Sequence, residues 1–249
     1  MEYYESGSLT KLMGRIQFGS YDGMELLRQG LTALEWLHGL ETPIVHRDIK
    51  PCNILIKSET PLVIRLTDFG LAKQSKSLNS LVGTPRYLAP ELHSQDPYTA
   101  LVDIWSLGVV ALECLDRASF QGAFKTHQSQ KRHERRKKPW ECLVEAMNWS
   151  LEKNPLLKGR TKRVIKFVMD HMVRINPNER FSAAECLDML LNQFYPNHDG
   201  GDDNDGGDDD DDDDGPPGLE KSPSADRGTA HGELIDEPKS PMEPGTVRW

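Results

Sequence analysis

Cysteine is scarce in this 249-residue sequence, which has four: Cys52, Cys114, Cys142 and Cys186. No two form a Cys-x-x-Cys pair, and none joins histidines at zinc-site spacing, which excludes the familiar structural zinc modules. They read as buried, reduced thiols. Long apolar runs are also missing. No stretch approaches the roughly 18–20 residues that a membrane-spanning helix needs. The opening residues, Met1-Glu-Tyr-Tyr-Glu-Ser-Gly-Ser-Leu9, lack the cationic and apolar segments of a secretory leader. Together these absences predict a soluble intracellular protein, cytoplasmic or nuclear, without a membrane partner.

Positive charge is thin toward the C-terminal end. From Asp199 onward there are 17 acidic and 4 basic residues, out of 39 and 30 in the whole chain, which leaves 22 acidic and 26 basic in residues 1–198. The formal charge of −9 is therefore a body near +4 carrying a tail near −13, so overall acidity says little about the partners of the body. Gly200–Gly215 is nearly all Gly and Asp and ends in seven aspartates, Asp208–Asp214. Such a composition buries too little apolar surface to offset the entropy of ordering. Residues 196–249 are expected to form a disordered, Asp/Gly-rich acidic tail.

The body reads as mainly α. Met24, Leu27, Leu31, Leu34 and Leu37 recur at helical steps and predict an amphipathic helix over 20–39. Ile-Leu-Ile at 54–56 and Leu-Val-Ile-Arg-Leu at 62–66 flank Ser58-Glu-Thr-Pro61, which predicts a β-hairpin. Residues 103–116 are apolar nearly all round, as expected of a buried helix, with Asp103 as its N-cap. A further helix is expected over 163–175, with Val164, Phe167, Val168 and Met172 in its stripe. Ser182-Ala-Ala-Glu185 is a capping box opening a last helix to about Leu191.

The residues that suggest chemistry lie around the hairpin. His46-Arg-Asp-Ile-Lys-Pro-Cys-Asn53 precedes it and Asp68-Phe-Gly70 follows it. Paired positions in an antiparallel hairpin have a constant index sum, and Asn53 and Asp68 sum to 121, which centres them on the Ser58–Pro61 turn. Their side chains are thus expected near each other at the open end, an amide oxygen and a carboxylate suited to a hard cation such as Mg²⁺. Asp48, on the loop entering the hairpin, can then approach a nucleophilic hydroxyl.

Two more signals follow in order: Gly83-Thr-Pro-Arg-Tyr-Leu-Ala-Pro-Glu91 and Asp103-Ile-Trp-Ser-Leu-Gly108. With these four motifs in this order and spacing, residues 1–195 resemble the large C-terminal lobe of eukaryotic protein kinases, of the Ser/Thr type. The resemblance implies a mainly α, kinase-like C-lobe over 10–195 with a small β-hairpin at its catalytic loop, 46–53. It implies a metal-binding motif at 68–70 and an activation segment over 68–91. Asp48 would accept the proton of a protein Ser or Thr hydroxyl, and Lys50 would steady the transferring phosphoryl group. Asn53 and Asp68 would hold Mg²⁺ with ATP, and Leu55 would lie beneath the adenine. Arg47 resembles the arginine that pairs with a phosphorylated activation loop, for which Ser77, Ser80 and Thr84 are candidate sites. Thr84 is also placed to contact Asp48 and Lys50. Glu91 and Arg180 resemble a buried ion pair. His46 reads as a packed core histidine, Phe69 as an apolar neighbour of the site, and Cys52 as a small filler.

Aligned on His46-Arg-Asp48, residues 1–9 match the hinge between the two kinase lobes. There the backbone from Glu2 to Tyr4 would meet the adenine. No Gly-x-Gly-x-x-Gly and no Val-Ala-x-Lys precede residue 46, so the small lobe of the family is not represented. Two readings follow: a Ser/Thr kinase catalytic lobe whose activity in isolation is poor, or a non-catalytic binding or decoy module. Lys131–Lys138 reads as a nuclear import signal, a docking surface or a solvated loop. The aspartate run reads as a site for basic proteins, as a segment folding onto that cluster, or as a solubilising tail. Nothing in the sequence points to nucleic acid.

Overall fold

The structure, a computed structural model, describes residues 4–74, 83–93, 97–129 and 137–195. Glu2, Ser77, Ser80, positions 131–136 of the basic cluster and the tail from 196 lie outside the described residues.

Seven helices and four short strands follow in the order α1 (Leu9–Met13), α2 (Ser20–His38), β1 (Ile44–Val45), β2 (Ile54–Glu59), β3 (Leu62–Leu66), β4 (Lys73–Gln74), α3 (Leu101–Leu115), α4 (Arg117–Ser129), α5 (Pro139–Lys153), α6 (Gly159–His171) and α7 (Ala183–Phe194) among the described residues. The expected mainly α fold is present. The stripe Met24, Leu27, Leu31, Leu34 and Leu37 is buried, as are Val164, Phe167, Val168 and Met172. Helix α6 nevertheless starts at Gly159, not 163, and stops at His171, with Met172 as its C-cap.

Helices α2 and α3 cross at the centre, and two glycines let them approach. A Cβ on Gly23 would fall 2.6 Å from Leu115 Cδ2, and one on Gly30 2.8 Å from Leu107. The hairpin β2–β3 docks on α2 through the Gln29 amide. Its Nε2 donates to the Leu62 carbonyl at 2.7 Å, and its Oε1 accepts from the Ile64 N–H at 3.0 Å.

The hairpin forms where expected, but its register differs. Glu59 pairs with Leu62 and Ser58 with Val63, sums of 121; beyond a bulge at Lys57, Ile56 pairs with Ile64 and Ile54 with Leu66, sums of 120. One extra residue in β2 is absorbed by the bulge, so the Asn53 carbonyl accepts from Thr67, at 3.0 Å, and not from Asp68.

No expectation from the sequence covered α1, β1, β4, α4 or α5. Helix α4 starts directly after α3, with the Asp116 carboxylate accepting from Ser119 N–H at 3.1 Å. Helix α5 opens on Pro139 behind Lys138, whose N–H donates to the Glu141 carboxylate at 2.6 Å. Glu25 makes the tie across the back. Its carboxylate accepts from Arg28, from Gln29 at 3.1 Å and from the Tyr195 hydroxyl at 2.7 Å, joining α2 to the end of α7.

Asp103 is not an N-cap. It lies inside the first turn of α3 and is fully buried, while Ala100 occupies the cap position and the Thr99 hydroxyl accepts from Leu101 N–H at 3.3 Å. Its carboxylate points away from its own helix end, toward the loop after β1. Oδ2 accepts from His46 N–H at 2.8 Å and from His38 Nε2 at 2.9 Å, and Oδ1 accepts from Arg47 N–H at 2.8 Å. A carboxylate cannot donate, so His38 carries its proton on Nε2.

Asp103→Ala leaves two buried backbone N–H groups unmatched, each costing about 1–3 kcal/mol. The expected loss of stability in urea unfolding is about 2–6 kcal/mol, with Asp103→Asn, which keeps one acceptor, losing less. A midpoint for Asp103→Ala equal to the parent's would refute the anchoring. Glu25 predicts an acid-side effect. Burial by itself would raise its carboxyl, but the hydrogen bonds from Arg28, Tyr195 and Gln29 prevail and hold it below the ordinary value. A depressed carboxyl stabilises fully above its unfolded value near 4.3 and loses that contribution as pH falls through the folded value. Glu25→Gln should therefore be destabilised at neutral pH and converge with the parent in strong acid, as read from unfolding midpoints against pH.

Candidate active site

The site is assembled on the loop that β1 feeds and Asp103 holds. His46 is buried, and its imidazole bridges two segments. Nε2 donates to the Thr67 carbonyl at 2.9 Å, and Nδ1 receives a long contact from Asp48 N–H at 3.4 Å. Its ring lies 4.8 Å from that of Phe69, tilted by 51°. The histidine thereby ties the loop before the hairpin to the strand after it.

Arg47 adopts φ 68°, a left-handed conformation that costs a side-chain-bearing residue of order 1–3 kcal/mol. Its N–H on Asp103 helps hold that geometry. Its guanidinium donates to the Leu71 carbonyl at 2.6 Å and to the Tyr98 hydroxyl at 3.2 Å. The next segment passes against it so closely that only glycine fits: a Cβ on Gly83, at φ 109°, would sit 2.7 Å from the Arg47 carbonyl oxygen.

That approach delivers Thr84 to the centre of the site. Asp48 Oδ2 accepts from Lys50 Nζ at 2.6 Å and from Asn53 Nδ2 at 3.1 Å. Asp48 Oδ1 accepts from the Thr84 hydroxyl at 3.1 Å, and that hydroxyl accepts from Lys50 Nζ at 2.9 Å. Burial alone would lower the Lys50 ammonium, but its hydrogen bond and charge pairing with Asp48 outweigh burial and raise it. Lys50 is thus a fixed cation beside a buried carboxylate.

Asn53 and Asp68 are not hydrogen-bonded to each other. The bulge sets Asn53 opposite Thr67, and the Asn53 Nδ2 turns back to the Asp48 carbonyl at 2.9 Å. This leaves Asn53 Oδ1 with only a 3.5 Å contact from the Cys52 thiol. Asp68 is left-handed at φ 61°, and its Oδ1 caps the short turn Phe69–Leu71 through Gly70 N–H at 3.3 Å. The two groups offer hard oxygens at one end of the hairpin, and no cage of three or more His, Cys, Asp or Glu exists among the described residues. That donor set fits Mg²⁺ completed by phosphate oxygens, the usual way this ion is held.

Leu55 is half-buried and bridges to Ser8, while Ile56 N–H donates to the Gly7 carbonyl at 2.8 Å. The segment from Tyr4, whose carbonyl accepts from Gly7 at 3.0 Å, thus runs along the outer edge of β2. Phe69 is 46% exposed and Leu71 also shows an apolar surface. A groove of about 1020 Å³ lies at the other end of the hairpin, around Phe18, Pro61 and Leu157, and takes in none of the residues named for the site.

Glu91 and Arg180 form a two-pronged ion pair at 2.6 and 3.1 Å. Arg180 also donates to the Leu101 and Arg174 carbonyls and covers the Trp105 ring at 5.2 Å. Cys52 is exposed, unlike the other three cysteines. It stands on a short 3₁₀ turn, Pro51–Asn53, whose neighbours Pro51 and Asn53 are buried, so it is not a filler. Three contributors escaped the sequence reading. His38 continues the Leu34 stripe by one helical step, a legible hint; Tyr98 and Thr67 carry no such sign.

The chain matches the protein kinase domain family over residues 1–191. It is 30% identical over 206 residues to serine/threonine-protein kinase RAD53 of Saccharomyces cerevisiae, covering 76% of this chain and 23% of that protein. It is 34% identical over 175 residues to serine/threonine-protein kinase 17A of Oryctolagus cuniculus, 68% of this chain and 40% of that protein. With the inhibitor of nuclear factor kappa-B kinase subunit beta of Bos taurus it shares 42% identity over 123 residues, 46% of this chain and 16% of that protein. The aligned stretch spans less than half the length of each of these relatives. On the family match and the ordered motifs now seen folded around one loop, the chain belongs to the protein kinase domain family.

Proposed function

We propose that the chain is the catalytic lobe of a serine/threonine protein kinase, acting on protein hydroxyls with ATP and Mg²⁺. The observation that carries this reading is the Thr84 hydroxyl donating to Asp48 Oδ1 while Lys50 Nζ donates to the same hydroxyl. This contact supports the reading, because an aliphatic alcohol here directs its proton onto a buried carboxylate with its oxygen beside a cation. A substrate Ser or Thr hydroxyl is oriented in the same manner, and Asp48 takes its proton as the oxygen attacks. Lys50 offsets negative charge next to the reacting oxygen. Asn53 Oδ1 and Asp68 are the groups that would hold the metal. Bound Mg²⁺·ATP supplies the phosphoryl group with its oxygen charges neutralised.

Residues 1–45 hold no Gly-rich loop and no Val-Ala-x-Lys strand. In this reading these 249 residues supply the hydroxyl side of the reaction, and the phosphate clamp that kinases place opposite it is not among them. We infer that transfer by these 249 residues alone is slow. A non-catalytic binding module with an acidic interaction tail is the second reading.

The test joins a kinase small lobe, taken from the RAD53 relative, ahead of Met1. Phosphate transfer from radiolabelled ATP to a Ser/Thr peptide mixture is then measured. The expected result is little transfer by the chain alone and clear transfer by the joined form, with Asp48→Asn lowering it by roughly 10²–10⁴-fold. A joined form that folds and binds Mg²⁺·ATP yet transfers nothing would decide for the binding module. Robust, Asp68-dependent transfer by the chain alone would overturn the inference of slow transfer.

A further inference from the structure

Helix α6 has an outer face whose charge conflicts with its position. Lys158, Arg160, Lys162, Arg163 and Lys166 are all exposed, while Val164, Ile165, Phe167 and Val168 are buried on the opposite side. Lys158 is the N-cap, so the cations crowd the helix end at which the backbone dipole is itself positive. Lys158–Lys162 and Lys162–Lys166 are like charges four residues apart, and Arg160–Arg163 and Arg163–Lys166 three apart, each spacing mildly repulsive. Lys166 pairs with Asp170. Among the described residues Lys158, Arg160, Lys162 and Arg163 pair with no carboxylate. An uncompensated cation row on a helix N-terminus is a surface built for a polyanion.

The chain carries one. Asp208–Asp214 places seven carboxylates in seven residues. Its tether starts next to α6, on the helix's buried side, and is long enough to pass round to the basic face. The last helix ends on α6: the Phe194 ring meets the Phe167 ring edge-on at 6.1 Å between centroids. Twelve residues separate Tyr195 from Asp208, a tether that reaches about 40 Å at full extension, against a helix of about 20 Å. A tract so tethered meets the α6 face at a high effective concentration.

We propose that the basic outer face of α6 binds the aspartate tract Asp208–Asp214 of the same chain. The contact is electrostatic, offsets the repulsion along the helix, and withholds this face from other acidic partners. It does not depend on phosphoryl transfer.

The experiment uses the full chain and a carbodiimide, which joins a carboxylate to a lysine only where the two touch. Cross-linked peptides are mapped by mass spectrometry at low salt and at about 1 M salt, where screening shrinks to about 3 Å. The expected links run from the 208–214 peptide to Lys158, Lys162 and Lys166 within one copy, and fall about fivefold or more at high salt. The double variant Arg160→Glu with Arg163→Glu keeps those lysines and should reduce the links comparably. Circular dichroism and the unfolding midpoint check that this variant is folded. Links that ignore both salt and charge reversal, that spread evenly over Lys11, Lys57 and Lys125, or that join two copies would overturn the proposal.

Discussion

The arrangement rests on one buried carboxylate. Asp103 sits within a helix that is apolar on all sides, where an ion without partners would cost several kcal/mol. It is tolerated because three donors converge on it, two of them successive backbone N–H groups at His46 and Arg47. The exchange works in both directions. The N–H groups are matched, and the loop that bears them is clamped to the most deeply buried helix of the molecule. A hydrophobic residue at 103 would fill the volume but would not specify where the loop lies. Here a buried charge defines position more than it adds stability.

Everything chemically interesting hangs from that clamp. Arg47 can remain left-handed because its N–H is held by Asp103 and its side chain by Leu71 and Tyr98. The peptide that follows then carries Asp48 into contact with Lys50 and Asn53, while Gly83 brings Thr84 from the far side. The cluster is thus over-determined: the Asp48 carboxylate is held by Lys50 and Asn53 from its own loop and by Thr84 from a distant segment. Such cross-bracing lets a carboxylate keep its aim without water reorganising around it, which is the condition for charge stabilisation to be effective.

Periodic features were readable in the sequence, and junctions were not. The stripe of α2, the capping box at Ser182 and the hairpin turn are local patterns, and each appears close to its expected place. Helices α4 and α5 escaped because their starts break the usual signature. Asp116 ends one helix and caps the next without an intervening loop, and α5 begins behind a lysine. The hairpin bulge is invisible to index arithmetic, since a single unpaired residue at Lys57 leaves both strand patterns intact while moving Asn53 from Asp68 to Thr67. Asp103 failed in a more instructive way. An aspartate at the front of a helix looks like a cap in one dimension, whereas its true partners lie more than 50 residues earlier. Motif residues could be named from the sequence, but which of them touch depends on contacts of that range.

The finished site is asymmetric, and the asymmetry has a physical reading. Around Asp48, the polar groups of Lys50, Asn53 and Thr84 converge, with Asp48 and Asn53 buried and Lys50 and Thr84 half-buried. On the nucleotide side, Asp68 caps only its own turn, and Phe69 and Leu71 face outward. Electrostatic contacts strengthen as water is excluded, so the first half is already in a strong-field environment and the second is not. Under the function proposed above, recognition of an alcohol and retention of a triphosphate would be separable: the Asp48 cluster would orient the acceptor, and a further surface closing over Phe69 would exclude water from the phosphates. A protein built this way could have its chemistry switched by moving that surface alone, without disturbing the Asp103 clamp on which the acceptor geometry depends.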